Sequence, residues 1–402
     1  DSAERHSPDI RNAAKDQGKS AEPLLRRKLE QAGWSNEADT YSGLLQSAEL
    51  CPRCENPAGS LLINSNRCER GVGATLRRLE PQLERERVEL IYVLDGPDAG
   101  LPEDAQRLAS CVLRLAECTG QSTARNIGAL FARSDVIIML DDDALPADDL
   151  LAAHLRIHAD NPQVLGVRGR CFPRNPERPR TNGPHYDLGE RPVPFYLNLE
   201  GNSSVRREAF LAVRGFRAGW RGTYEGAILS YRLKQHDPDG QPCWYFPGPV
   251  IRHDYSRDDE HWDRKRRIGK QCVEQLQREL PGFTEFMNLY KCELAMVTAQ
   301  PGSGDFVQKA CRLAARRGLG EMMMHMLMER YELPELFPDA GWSAEDDGPA
   351  GAIAHARIAM EYIRLGHPGP ACDHLKQSYG LHPSEEIADM IRQLESAGVH
   401  AQ

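Results

Sequence analysis

The chain has 402 residues, 40% of them hydrophobic and 27% charged, and its 50 basic and 59 acidic residues give a formal charge of −9. At about 150 residues per domain, that length predicts two or three globular domains, and the composition excludes a wholly disordered or collagen-like chain. The acidic balance argues against a general nucleic-acid binder, which carries a basic face. No run reaches the roughly 18 to 20 apolar residues that a membrane-spanning helix needs.

The N-terminus, Asp1-Ser2-Ala3-Glu4-Arg5-His6, lacks the apolar core of a signal peptide. It also lacks an initiator Met, so the numbering is expected to open inside a longer or processed chain. The 11 cysteines are odd in number and mostly scattered, as in a reduced, cytoplasmic protein rather than a disulfide-framed one. The one close pair, Cys51-Pro52-Arg53-Cys54 with Cys68 beyond it, has no second Cys-x-x-Cys to complete four zinc ligands. Plain thiols are the favoured reading over zinc or a redox pair.

Residues 1–20 are polar and patternless. A helix with Leu24, Leu25 and Leu29 on one face is expected from Pro23 onward. The character changes at Pro57-Ala58-Gly59. From there short apolar runs alternate with helices. Leu61-Leu62-Ile63 ends in Asn64-Ser65-Asn66-Arg67, and a helical stretch follows over 73–83. The run over 88–94 ends in Asp95-Gly96-Pro97, and the run over 136–140 ends in Asp141-Asp142-Asp143. Such alternation predicts a parallel sheet covered on both faces, with any ligand at the carboxyl ends of the strands. Every run here ends in polar or acidic residues.

Residues 165–255 read as mixed strand and loop, and the chain turns helical from about 262. Three regions are expected: a partly helical extension at 1–56, an α/β domain at 57–275 and a helical region at 276–402. In the last, Ala359, Ala371, Leu375 and Tyr379 fall at the spacing of one degenerate tetratricopeptide-type helix pair. An ordinary helical bundle explains the same pattern.

Three adjacent carboxylates after a buried strand repel one another unless a counter-charge, such as a divalent cation, joins them. Their oxygens suit Mg²⁺ or Mn²⁺. The competing reading is an acidic loop that opens a helix at its favourable end. Other segments bear on the choice. Upstream lies Ala124-Arg125-Asn126-Ile127-Gly128; downstream come Gly201-Asn202 with Arg206-Arg207, then Gly215-Phe216, then Glu225 before Leu229-Ser230-Tyr231-Arg232-Leu233, and a late His253.

In this order the segments resemble the GT-A glycosyltransferases, in particular the large family 2 of mostly inverting enzymes. The resemblance spans roughly residues 57–275. It implies a Rossmann-like, mostly parallel sheet covered by helices. It further implies a metal-dependent transferase that moves a sugar from a nucleotide-diphosphate sugar, with UDP the commonest carrier. The acceptor stays open among glycan, peptide, lipid carrier and small molecule. By resemblance, Asp143 is the principal metal ligand, Asp141 meets the ribose or the metal, and Asp142 lies close by. His253 completes the metal shell, and its nitrogen suits Mn²⁺ better than Mg²⁺. Asp95 resembles the carboxylate that reads the base edge, and Arg125 the arginine beside base and phosphates. Asn64, Asn66 and Arg67 would form the rest of the nucleoside pocket.

An inverting displacement needs a base to take the acceptor's proton. Glu225 occupies the matching place, but Gly226 stands where the family often has a second acid. Three outcomes stay open: Glu225 serves alone, the base lies elsewhere with Glu200 a secondary candidate, or the chemistry is not ordinary inversion. Asn202 and Trp220 are the expected acceptor contacts, although Trp220 would equally seal the pocket as core. The basic run of Arg257, Arg264, Lys265, Arg266 and Arg267 either closes over a diphosphate or forms a solvated helix face. A dehalogenase-type phosphatase is set aside because Leu145 stands where its motif needs Thr or Val. A nucleotidyltransferase is set aside because its Gly-rich, Lys-bearing first loop is absent. A degenerate transferase domain acting as a binding or scaffold protein remains the alternative, supported by Gly226 and the repeat-like tail.

Overall fold

In a computed structural model, the described residues are 21–66, 72–175, 186–255, 259–284, 286–287, scattered positions between 352 and 363, and 368–397. The three apolar runs form the centre of a sheet because both of their faces are covered. Ten strands are present among the described residues: β1 (Leu45–Leu50), β2 (Gly59–Ser65), β3 (Val88–Leu94), β4 (Cys111–Leu115), β5 (Val136–Asp141), β6 (Leu145–Pro146), β7 (Gly166–Phe172), β8 (Val193–Pro194), β9 (Asn202–Arg206) and β10 (Cys243–Arg252). Their order is β1-β4-β3-β2-β5-β9-β7-β10-β6, with β8 also on β10. Strands β4, β3, β2 and β5 run parallel, and β9 is antiparallel to both β5 and β7.

Alternate residues of each central strand sort onto opposite faces, as the pleat requires. On one face Leu62, Ile91, Val93, Leu113, Ile137 and Met139 pack with helices α1 (Glu22–Gln31), α5 (Gln121–Phe131), α7 (Arg207–Ala212) and α8 (Glu225–His236). On the other, Leu61, Ile63, Leu90, Tyr92, Ile138 and Leu140 pack with α3 (Val72–Arg85) and α6 (Leu150–Asp160). The chain leaves β2 toward β3 on one side and returns to β5 on the other. That reversal opens a crevice at the carboxyl ends of β2 and β5, the usual ligand position in such sheets.

Within the partly helical extension expected at 1–56, the described residues, from 21 on, join this unit. β1 adds antiparallel to β4 at the sheet edge. Leu25, Leu29, Trp34 and Tyr41 enter the same core as Leu62 and Val93. The edge explains why β1 was not legible as a strand: only Leu45 is buried, so it carries little apolar signal. The first compact unit runs to Phe283 and the second from Thr284. The expected boundary at 275–276 falls inside helix α9 (Asp259–Glu279).

In the second unit, helices α10 (Pro368–Leu381) and α11 (Glu385–Ser396) share a small core. Ala359, Ala371 and Leu375 are buried there against Ile387, Met390, Ile391 and Leu394. Tyr379, expected on the same face, is exposed. Tyr362 and residues 291–350 lie outside the described residues, so the repeat reading rests on this one pair.

Candidate active site

The carboxyl end of β5 carries the acidic run into the crevice. Asn64 pairs in register with Asp141, so the ends of β2 and β5 lie side by side. The backbone N–H of Asp95 bonds the Ser65 carbonyl at 2.8 Å and aligns the end of β3 with them. Three carboxylates now point three ways, and each has found its own partner. Asp141 accepts from Arg125 Nη2 at 2.9 Å and from the Tyr255 hydroxyl at 3.2 Å. Asp142 accepts from the Ser65 hydroxyl. Asp143 Oδ1 lies 2.8 Å from His253 Nε2.

The last pair matters for a metal. Burial opposes a charge on His253, yet the Asp143 bond and the nearby carboxylates raise its pKa on balance. Burial likewise works against the Asp143 carboxylate, but the bond to His253 and its charge, a backbone N–H and Arg174 together outweigh it and lower that pKa. A carboxylate oxygen and an imidazole nitrogen are a donor set that fits Mn²⁺. The third expected ligand, Asp141, is turned to Arg125 and Tyr255. No group of three metal-ligating side chains occurs among the described residues.

Arg125 is 2% exposed, and its Nη1 has no partner among the described residues. Its place on α5 aims the guanidinium across the crevice at Asp141. Tyr255 braces the same corner from β10's end: its ring lies 4.0 Å from that of His253 and stacks at 4.6 Å on Tyr186. Lys265 donates to the Tyr255 carbonyl, which brings one member of the basic run to the site. Arg264 and Arg267 are exposed, whereas Arg257 and the side chain of Arg266 lie outside the described residues. Arg174 adds a cation by donating to the Asp143 carbonyl at 2.7 Å.

Gly201 fits because the chain passes flat against Asp141. A Cβ there would stand 2.0 Å from Asp141 Oδ2. The neighbouring Glu200 sends its carboxylate to the start of α8, where Oε1 accepts the Gly226 N–H at 2.6 Å. Glu225 opens that helix after Tyr224, whose φ of 72° is left-handed and uncommon for a residue with a side chain. Among the described residues, the Glu225 carboxylate bonds no other side chain. Burial, then the charge of Glu200, push its pKa up to about 8. A value near neutrality suits a general base.

Three expected contacts meet a different geometry. Asp95 is 3% exposed and accepts from the Thr119 N–H at 2.7 Å, the Thr119 hydroxyl at 2.9 Å and the Gly120 N–H at 3.0 Å. It pins the loop into α5 before any base arrives. Asn202 is 0% exposed, and its amide bonds His154 at 3.0 Å and the carbonyls of Arg170 and Pro249, both at 3.0 Å. An acceptor has no access to it, so the expected acceptor role is corrected to a structural one. Trp220 is 8% exposed, bonds the Thr223 carbonyl at 2.9 Å and carries the Arg217 guanidinium 4.8 Å from its ring. It seals the wall rather than offering an open face. Arg67 lies outside the described residues, while Asn64 is half-buried and Asn66 exposed at the rim. Tyr255 and Arg174 were missed, because both act through contacts remote in sequence.

Comparison with known proteins finds a likeness over the residues that build this site. Residues 61–225 match "Glycosyl transferase family 2". Solved structures similar to the chain include a mannosyltransferase from Pyrobaculum calidifontis in complex with GDP-Man and Mn²⁺, at 16% identity over 90% of this chain and 99% of that one, with a TM-score of 0.39. Another is S. aureus TarS 1-349 in complex with UDP-GlcNAc, at 11% identity over 86% and 93% of the two chains, with a TM-score of 0.43. A third is GalNAc-T7 with UDP, GalNAc and Mn²⁺, at 14% identity over 68% and 58%, with a TM-score of 0.40. No curated protein matches the chain. No helix among the described residues is long and apolar enough to cross a membrane. The chain thus has an α/β fold around a mostly parallel sheet, an acidic strand end at the β2–β5 reversal, and a stretch over 61–225 that is similar to glycosyltransferase family 2.

Proposed function

We propose that the chain transfers a sugar, with inversion, from a nucleotide-diphosphate donor to an acceptor hydroxyl, UDP being the first carrier to test. The observation that carries this reading is the set of groups around the β2–β5 crevice: the Arg125–Asp141 pair, the Asp143–His253 pair and the Glu225 carboxylate with its raised pKa. Asn64, Asn66 and Arg67 at the end of β2 would flank the nucleoside. Asp141 and Arg125 would meet the ribose and phosphates, with Asp95 holding the loop behind them. Arg174 and Lys265 would add positive charge on the diphosphate side.

Asp143 and His253 would hold a divalent cation, Mn²⁺ or Mg²⁺, with Asp141 near enough in sequence to share it. When bound, such an ion acts as a Lewis acid for the departing diphosphate. The remaining steps belong to the chain. Glu225 takes the proton of the acceptor hydroxyl as its oxygen attacks the anomeric carbon. The bond from that carbon to the phosphate oxygen breaks, and its electron pair leaves with the nucleotide.

The test is donor hydrolysis, with water as acceptor, over a panel of UDP and GDP sugars with Mn²⁺. Glu225→Gln should lower turnover by about 100-fold or more, the range of general-base catalysis, while nucleotide binding persists. Full activity in that variant removes Glu225 from the role. Wild-type protein that neither binds nucleotide nor hydrolyses any donor overturns the transferase reading and favours a degenerate scaffold.

A further inference from the structure

Gly226 occupies the place where a second acid would be expected, and the space its side chain would need is taken. A Cβ at 226 would stand 1.8 Å from the Leu197 carbonyl oxygen and 2.6 Å from Glu200 Oε1. The loop that carries Glu200 is bolted to the same helix. The Ser230 hydroxyl accepts the Leu197 N–H at 2.8 Å and donates to the Gly226 carbonyl at 2.7 Å. Arg168, buried between the rings of Phe195 and Tyr245 at 5.6 and 5.5 Å, donates to the Asn198 side chain and fixes the loop from the other side. Glycine at 226 and the carboxylate of Glu200 are therefore one arrangement: either a side chain grows from the helix or Glu200 docks there.

We propose that Glu200 is the positioning residue of the proton transfer, supplying from the turn before β9 the second negative charge that position 226 does not carry. This rests on the sugar-transfer reading above. Glu200 keeps its charge through the reaction, and the acceptor's proton goes to Glu225. Burial raises the Glu200 pKa; the Arg125 charge and the Gly226 N–H, one of the donors that a helix start leaves unsatisfied, work against that burial and favour the anion. With Oε1 held there, the Glu200 carboxylate is fixed at the residue that follows Glu225. A nearby negative charge makes Glu225 a stronger base: burial first and the Glu200 charge second raise its pKa, with Asp141 adding to them and Arg125 opposing.

Glu200→Gln separates charge from shape, since its amide oxygen still accepts the Gly226 N–H. In donor hydrolysis measured across pH, this variant should unfold at the wild-type temperature and bind UDP with Mn²⁺ at wild-type affinity. Its turnover should fall by about tenfold or more, and the acid limb of its pH–rate profile should move to lower pH by about one unit. Turnover within about twofold of wild type, with the limb in place, overturns the proposal. Glu200→Asp covers the case in which the glutamine variant does not fold. It keeps the charge, so the limb should stay, and a limb displaced as far as a neutral residue would displace it also overturns the proposal. A wild type inactive on every donor and unable to bind nucleotide removes the transfer reading first, and this inference falls with it. An active wild type with an unaltered Glu200→Gln removes this inference alone.

Discussion

Replacing Gly226 by alanine tests whether the missing acid reflects decay or packing. The added Cβ would sit 1.8 Å from a backbone oxygen, that of Leu197, and 2.6 Å from Glu200 Oε1. Non-bonded atoms settle at roughly 3.5 Å, so α8 and the loop must part by more than about 1 Å. A carbonyl cannot swing aside as a side-chain tip can, and its neighbour Leu197 N–H is tied to Ser230 on the same helix. Overpacking costs about 1–3 kcal/mol in ordinary sites, and this contact belongs at the upper end. The gain in helix propensity, about 0.5–1 kcal/mol, offsets only part of it. A net loss of about 2 kcal/mol lowers the unfolding temperature by roughly 4–8 °C in a domain of this class. Gly248→Ala is the internal control, because nothing lies within 4 Å of a Cβ there. Thermal unfolding of the full chain reads both. A Gly226→Ala protein that unfolds within about 1 °C of wild type refutes the packing argument.

Three further outcomes follow from buried or braced groups. His154 and His158 bond Ser204 at 2.9 Å each, and burial lowers their pKa values to about 4 and about 3. The unfolded chain binds these protons more tightly. Their contribution to stability is therefore full above about pH 6.5 and is lost as pH falls toward 4, by about 1.4 kcal/mol per unit for each. Imidazole NMR should find both rings neutral at pH 5.5, and imidazolium signals there contradict the burial. Arg125→Ala leaves the half-buried Asp141 without its cation, so it should destabilise the fold by about 3–5 kcal/mol. An unchanged denaturation midpoint counts against the pair. Tyr255→Phe removes one hydrogen bond to Asp141 but keeps the ring beside His253, so Mn²⁺-nucleotide affinity should weaken by about 1 kcal/mol, near fivefold. Titration calorimetry distinguishes that from no change, which would make the hydroxyl idle.

The legible part of the fold was the part with a strong apolar signal. β2, β3 and β5 are covered on both faces, so their runs are nearly continuous and their polar ends mark the crevice. β4, a five-residue strand, and β1, an edge strand with one buried residue, gave no such signal. The N-terminal residues looked detached because their core contacts are long-range: Trp34 Nε1 bonds the Leu211 carbonyl at 2.7 Å across 177 positions. At the site, motif order pointed to segments that meet at the crevice but not to which of their side chains the fold already claims. Asn202 adjoins Asp141's neighbour Gly201 in sequence, yet His154 and two carbonyls claim its amide. The dependence of Gly226 on Glu200 spans 26 positions and exists only once the loop is folded onto α8.

Nucleotide binding with and without metal tests the crevice most directly. UDP and GDP should be titrated calorimetrically into the full chain with Mn²⁺, with EDTA, and into Asp143→Asn with Mn²⁺. Saturable binding of one nucleotide with Mn²⁺, weakened at least about tenfold (1.4 kcal/mol) by EDTA and by Asp143→Asn, is the expected result. Binding of neither nucleotide, or binding indifferent to both metal and Asp143, contradicts a metal-assisted nucleotide-sugar site at the ends of β2 and β5.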